Sequence, residues 1–181
     1  MIHLLFFGAV FLFDLLLMTL LPIDFSSMRF VFIPSTMFIF MIYCARTYSF
    51  KKSMLLALGL GFLYDLLLFQ QMFELTLVYV TVMLVAKQWS NHLSESMFET
   101  ITLALITLFL KEWVLFVVLR LTLVTDWHFF DWMAYRVFPT LLLAILLSVF
   151  VYGWYITYNQ ILLDMTSKIR RSEKLRWYQH K

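Results

Sequence analysis

Long runs of apolar residues constrain this chain more than any other feature of its sequence. In stretches such as residues 4–17 and 141–151, apolar residues follow one another without alternating with polar ones. A backbone in lipid must satisfy its own hydrogen bonds, so a spanning segment is either a helix or a strand of a closed barrel. Barrel strands alternate between apolar and polar residues. The runs therefore predict membrane-spanning helices.

Six stretches are long enough to cross a bilayer, for which about 20 mostly apolar residues are needed. They lie at about residues 2–22, 29–46, 52–71, 74–91, 98–124 and 133–162. The composition agrees, because 63% of the residues are hydrophobic and 14% are charged, whereas a soluble domain has roughly 45–50% and about 25%. We expect an all-α polytopic membrane protein, with a six-helix transmembrane domain over residues 1–163 and a basic cytoplasmic tail over residues 164–181.

The distribution of lysine and arginine predicts the orientation of the six helices. With both termini on one side, that side carries Arg46, Lys51, Lys52, Lys87, Lys168, Arg170, Arg171, Lys174, Arg176 and Lys181. The other side carries Arg29, Arg120 and Arg136. The positive-inside rule then places both termini in the cytoplasm. The basic tail favours an anionic inner leaflet over nucleic acid as its partner, and it either extends the last helix or lies on the membrane surface.

One acidic residue in the third stretch, Asp65, follows two small residues on the same helical face. Helical spacing puts Ala57, Gly61 and Asp65 in line, with the small residues one turn apart. Small residues let membrane helices approach one another closely. We therefore predict a helix-packing or partner site here, with Asp65 pointing into the bundle. A buried carboxylate with a structural role only is the alternative.

Three further ionisable residues lie within the predicted spans, where such residues are costly. Asp14 lies near the middle of the first stretch. We expect it to share a polar layer with Asp65 or to face a partner's helix. Lys111 and Glu112 are sequence neighbours that point about 100° apart on a helix, so each is expected to have its own partner. They are also candidates for a buried ion pair, and Lys111 is a candidate partner for Asp14 or Asp65.

Motifs of known catalytic and metal sites are missing from the sequence. It contains no Gly-x-Ser-x-Gly, no His-Glu-x-x-His and no P-loop. The four histidines lie at the ends of segments, on both sides of the membrane. We therefore expect no metal, no cofactor and no enzymatic activity.

The third stretch also carries a family signature. The segment Gly61-Phe62-Leu63-Tyr64-Asp65-Leu66-Leu67 resembles the Gly-apolar-apolar-x-Asp-apolar pattern of the MreD family of rod shape-determining membrane proteins. Pro34 matches a proline that is typical of the second helix in that family. The length, the six predicted helices and the basic C-terminal end agree over the whole chain. Glu74, with Gln70 and Gln71 before it, departs from the family, since many members have a glycine there.

The resemblance implies a non-enzymatic scaffold of the bacterial elongation complex in the inner membrane. Such proteins bind the single-span protein MreC and help to couple cytoplasmic MreB filaments to the RodA glycosyltransferase and its penicillin-binding transpeptidase partner, so that peptidoglycan synthesis maintains rod shape. The implied fold resembles the six-helix substrate-binding subunits of energy-coupling-factor vitamin transporters. A homodimer is a further candidate assembly. The candidate packing or partner residues are Gly61, Asp65, Ala57, Asp14 and Pro34.

Two other classes of function stay open. A substrate-binding subunit of a vitamin transporter would need a ligand pocket and a docking patch of small residues on the first helix, where Gly8 and Ala9 have no second small residue four positions on. A membrane enzyme acting on lipid-linked substrates could use Asp14, Asp65 or Glu112 as acid or base. The sequence offers such an enzyme no nucleophile or phosphate-binding motif.

Overall fold

The computed structural model describes residues 2–21, 30–68, 73–93 and 96–179, with side chains for residues 5–21, 30–67, 73–93 and 96–168. Over these residues the chain is helical and contains no strand, which confirms the all-α class. The helices are α1 (Ile2–Leu20), α2 (Thr36–Thr47), α3 (Phe50–Leu68), α4 (Glu74–Ser90), α5 (Met97–Leu121), α6 (Phe129–Trp132) and α7 (Phe138–Gln179), with a π turn at Met133–Val137 between the last two.

The second helix is shorter than the sequence predicts. It begins at Thr36 rather than near residue 29, and residues 30–35 are not helical. Pro34 therefore precedes α2 instead of lying within it, which corrects the prediction. A proline has no N–H to donate and disfavours the helical conformation in the residue before it, so the helix starts only after Pro34. The residues between the first two predicted stretches, 23–28, lie outside the described residues.

The non-helical residues before α2 are held by the last helical segment. The Val31 N–H donates to the Tyr135 carbonyl at 2.8 Å. In a regular α-helix that carbonyl would accept from residue 139, which is a proline and has no N–H. The Ile33 N–H donates to the Thr140 hydroxyl at 3.4 Å. Val31, Pro34 and Ser35 of this non-helical segment are buried by the rest of the chain.

Helix α2 lies at the centre of the bundle, with residues 36–45 all buried. An acidic and a basic side chain hold its two ends. The Asp14 carboxyl group accepts the Thr36 N–H at 2.8 Å, and Lys87 Nζ donates to the carbonyls of Ala45 and Tyr48 at 2.7 Å each. An acceptor at the N-terminus and a cation at the C-terminus satisfy backbone groups that a helix leaves unpaired.

Among the described residues, two helical segments are long and apolar enough to cross a membrane. Residues 97–121 and 129–168 each contain an 18-residue apolar stretch with a mean hydropathy of 2.1. Only 39% and 33% of the residues in these stretches are buried within the chain. Their outward side chains include Leu121, Leu142 and Leu146, which are 78%, 65% and 73% exposed. Extended apolar surfaces of this kind mark contact with lipid or with another protein. These two segments favour a membrane location.

The last helix continues through the predicted tail. Helix α7 runs for 42 residues, so the backbone of Arg170, Arg171, Lys174 and Arg176 is helical and extends the sixth predicted helix. The side chains of these four residues lie outside the described part of the chain, as do Gln70 and Gln71.

Candidate functional site

Asp65 forms a joint between α3 and α4. Its buried carboxylate accepts hydrogen bonds from the Leu75 N–H at 2.8 Å, the Thr76 N–H at 2.9 Å and the Thr76 hydroxyl at 2.6 Å. These N–H groups belong to the first turn of α4, where a helix leaves its donors unpaired. A capping side chain usually belongs to the residue just before the helix, but here it comes from the preceding helix. We call this arrangement the Asp65 joint.

Gly61 allows the Asp65 joint to close. A Cβ at Gly61 would lie 2.5 Å from Thr76 Cα and 3.3 Å from the Leu75 carbonyl oxygen, whereas a Cβ at Gly59 would have nothing within 4 Å. The small residue at position 61 is therefore required by the backbone of α4, and the one at position 59 is not. The close approach predicted for Gly61 occurs inside this chain, and Ala57 on the same face is fully buried.

Asp14 forms a second joint, between α1, α2 and α3. Its carboxylate accepts the Thr36 N–H at 2.8 Å and hydrogen bonds from the hydroxyls of Thr36 and Tyr64. Since Thr36 is the first residue of α2, Asp14 caps α2 much as Asp65 caps α4. The two carboxylates accept hydrogen bonds from different donors. We call this arrangement the Asp14 joint.

Two cations and one carboxylate lie buried beside the Asp14 joint. Lys111 Nζ lies 3.0 Å from Glu112 Oε1, and Arg136 Nε lies 2.8 Å from Glu112 Oε2. Glu112 is completely buried, and both cations are 4% exposed. Buried charges are tolerated when they are paired. These three residues form the charged cluster, which ties α5 to the π turn.

Ser35 connects the charged cluster to Asp14. Lys111 Nζ donates to the Ser35 hydroxyl at 2.8 Å, and the next residue, Thr36, donates to Asp14. Both contacts lie where the non-helical chain enters α2. With Asp14 included, the cluster is neutral at formal charges. One continuous polar arrangement therefore fixes α1, α2, α3, α5 and the π turn relative to one another.

The contacts of Lys111 and Glu112 bear on two expectations. Each residue has a partner of its own, Ser35 for Lys111 and Arg136 for Glu112, and the two also pair with each other at separate oxygens of the carboxylate. Within the part of the chain that the structure describes, no ion pair joins Lys111 to Asp14 or Asp65. The expected candidate pair of Lys111 and Glu112 is present.

Arg136 is the residue that the sequence interpretation missed. Its position suggests an outer connection, but it lies in the π turn, with its guanidinium carbon 4.2 Å from the centre of the Trp132 ring. Turns of π-helix recur at functional sites. Pro139 was the available signal, because a proline inside an apolar stretch removes a helical hydrogen bond and disturbs the turn before it. Thr36 and Thr76 carried a weaker signal as hydroxyl residues at helix starts.

The chemistry of the two joints and the charged cluster is that of helix positioning, since their donors and acceptors meet within the chain. Among the described residues, no three His, Cys, Asp or Glu side chains are grouped so that they could hold a metal ion. No family model, curated protein or solved structure matches the chain.

Proposed function

We propose that this protein is a non-enzymatic scaffold of the bacterial elongation complex, similar in role to MreD, which crosses the inner membrane six times with both termini in the cytoplasm. The Asp65 joint carries the proposal. Gly61 and Asp65, the two positions that define the MreD-like segment, are the two residues of α3 that fix the start of α4. The signature thus has a physical purpose in this fold, which supports the resemblance.

The charges at the ends of the helices support the proposed orientation. Arg136 belongs to the buried charged cluster and no longer counts as an outer loop cation. Among the described residues, Arg120 then remains as the cation of the outer connections, while Arg46, Lys51 and Lys87 lie at the other end of the bundle. The excess of cations at that end agrees with a cytoplasmic location.

The outer face of α3 is the surface that we propose for MreC. Leu58, Phe62 and Leu66 follow one another at intervals of four residues and are 53%, 41% and 59% exposed. Such a stripe can pack against a single membrane-spanning helix. The Asp65 joint lies on the neighbouring face of α3, where Phe62 also contacts Phe73 just before α4, and it sets the position of this stripe relative to α4. In this proposal Gly61 and Asp65 support the partner surface without touching the partner.

Affinity capture of the tagged full chain from native membranes in mild detergent tests this function, with mass spectrometry of proteins and small molecules together. Wild type should recover MreC, RodA and the transpeptidase. Gly61→Leu should recover about tenfold less MreC, because overpacking costs about 1–3 kcal/mol and a factor of ten corresponds to ~1.4 kcal/mol. Gly153→Leu, on α7 and away from the α3 stripe, is the control with an equally open Cβ position and should behave as wild type.

Two results would contradict the proposal. Undiminished capture of MreC by both Gly61→Leu and Phe62→Lys would remove the roles of the Asp65 joint and of the α3 stripe. Recovery of a coupling ATPase or a bound vitamin, without any cell-wall partner, would favour a transporter subunit. Size-exclusion profiles of the variants separate a lost partner surface from a misfolded chain.

A further inference from the structure

A groove of about 640 Å³ runs between α1 and α3. Its walls are formed by Phe7 and Phe11 of α1 and by Leu56, Leu60 and Leu63 of α3. Cavities of this volume are typical of ligand sites. No residue of either joint and no residue of the α3 stripe lines the groove.

Gly8 leaves the groove open on the α1 side. A Cβ at this position would meet nothing within 4 Å, so the space beside Gly8 is not filled by the chain. Met37, at the start of α2, also lines the groove and is buried. The groove therefore extends from the surface of the bundle inwards as far as the central helix.

The groove has the depth of one leaflet. It runs along α3 from Lys52 to Leu63, which is roughly 16 Å at ~1.5 Å per residue. The hydrocarbon core of a bilayer is about 30 Å thick, so the groove covers about half of it. A lipid acyl chain occupies one leaflet, so its length matches that of the groove.

A cation lies at the end of the groove that faces the cytoplasm in the proposed orientation. Lys52 is exposed, and none of the ion pairs among the described residues involves it. The cytoplasmic leaflet carries anionic lipids, and basic pockets between helices on that side bind their headgroups. The groove is apolar along its length and ends at a cation. This arrangement matches a phospholipid, which has apolar acyl chains and an anionic headgroup.

We propose that this groove is a binding site for one anionic phospholipid of the cytoplasmic leaflet. One acyl chain lies along Gly8, Leu56 and Leu60, and Lys52 holds the phosphate. The bound lipid fills the space between α1 and α3, which the protein leaves unfilled. This inference rests on the proposed membrane insertion and does not depend on the binding of MreC.

Native mass spectrometry of the purified full chain tests the site. The protein is stripped of lipid in detergent and titrated with palmitoyl-oleoyl phosphatidylglycerol, or with the zwitterionic phosphatidylcholine of the same chains. Gly8→Leu should weaken the binding of both lipids about tenfold, because its side chain displaces roughly two methylene groups at ~0.8 kcal/mol each. Gly153→Leu is the control, since a Cβ there also meets nothing within 4 Å and Gly153 does not line the groove.

Lys52→Gln separates headgroup recognition from the apolar contact. This exposed substitution should reduce the preference for phosphatidylglycerol about fivefold, since a cation near the surface contributes ~1 kcal/mol. Lys51→Gln changes the adjacent cation, which does not line the groove, and should leave the preference unchanged.

The design contains two outcomes that would overturn the proposal. Equal lipid binding by wild type, Gly8→Leu and Lys52→Gln would show that lipid binds elsewhere or without a site. A co-purifying membrane protein that is lost with Gly8→Leu, while lipid binding stays constant, would assign the groove to a partner helix. The measurement uses no cell-wall protein, so its failure is distinguishable from failure of the scaffold proposal.

Discussion

The Asp14 joint and the Asp65 joint solve one physical problem at two places in the bundle. In each, a carboxylate from one helix accepts a backbone N–H and a threonine hydroxyl at the start of the next helix. The Asp65 joint is built from residues 10 and 11 positions apart and has no charged neighbour among its donors. The Asp14 joint gathers residues 22 and 50 positions apart and adjoins the charged cluster.

The Asp65 joint is therefore a local contact within one helical hairpin, whereas the Asp14 joint connects helices that are distant in the chain. The Asp65 joint fixes a hairpin whose two helices are already adjacent in the chain, so its loss should loosen α4 against α3. The Asp14 joint and the charged cluster fix helices that are far apart in the chain. Damage on that side should therefore reduce the stability of the whole bundle.

Loss of the shared carboxylate in the charged cluster should have the largest effect. Glu112→Ala removes the carboxylate that pairs with both Lys111 and Arg136, and removal of one partner from a buried pair costs about 3–5 kcal/mol. Circular dichroism during unfolding in mixed micelles measures the loss. The triple variant Lys111→Met, Glu112→Leu, Arg136→Met should recover most of the stability, because apolar replacement of a whole buried cluster is often neutral. Equal stability of Glu112→Ala and wild type would contradict the role of the cluster.

The sequence was informative where the contacts are local. The all-α class follows from uninterrupted apolar runs, and the importance of Gly61 and Asp65 follows from their spacing on one helix. The start of α2 was predicted wrongly because hydrophobicity alone does not distinguish buried non-helical backbone from a helix. Pro34 indicated the correct boundary, because a proline disfavours the helical conformation in the residue before it. The prediction followed the apolar run instead.

The Asp14 side could not be derived from the pattern because its contacts depend on tertiary structure. Arg136 contacts a residue 24 positions away, and Ser35 contacts one 76 positions away. No periodicity in the sequence relates such positions. The Tyr135 carbonyl cannot accept from Pro139 and accepts from the Val31 N–H instead. This hydrogen bond also depends on which segments are neighbours in the bundle.

Removal of each capping carboxylate should affect the two joints to different extents. Asp14→Ala leaves a buried N–H and two buried hydroxyls without this acceptor and should cost about 3 kcal/mol, taking the lower end of the range of about 1–3 kcal/mol that each unsatisfied buried group costs. Asp65→Ala should cost about 1–2 kcal/mol, as expected for a lost helix cap. Unfolding in mixed micelles measures both values. A greater loss for Asp65→Ala would reverse the assignment of local and global roles.

Glycine replacement tests the close approach on the Asp65 side. Gly61→Ala should destabilise the protein by about 1–3 kcal/mol, because its Cβ would meet the backbone of Thr76 and overpacking has this cost. Gly59→Ala should stabilise it by about 0.5–1 kcal/mol, since alanine is favoured over glycine within a helix. Melting temperatures in detergent compare the two. The same sign of effect for both variants would exclude a specific contact at Gly61.

The smallest effect is expected for Tyr64→Phe, which removes one hydroxyl from the Asp14 joint. A single hydrogen bond contributes about 0.5–1.5 kcal/mol, so the single variant gives little information. Double-mutant cycles with the two aspartates are more informative. Tyr64 is adjacent to Asp65 in sequence but donates to Asp14. Tyr64→Phe should therefore be non-additive with Asp14→Asn and additive with Asp65→Asn, because coupling follows contact rather than sequence proximity. Coupling to Asp65 of the same size would mean that the two joints act as one unit.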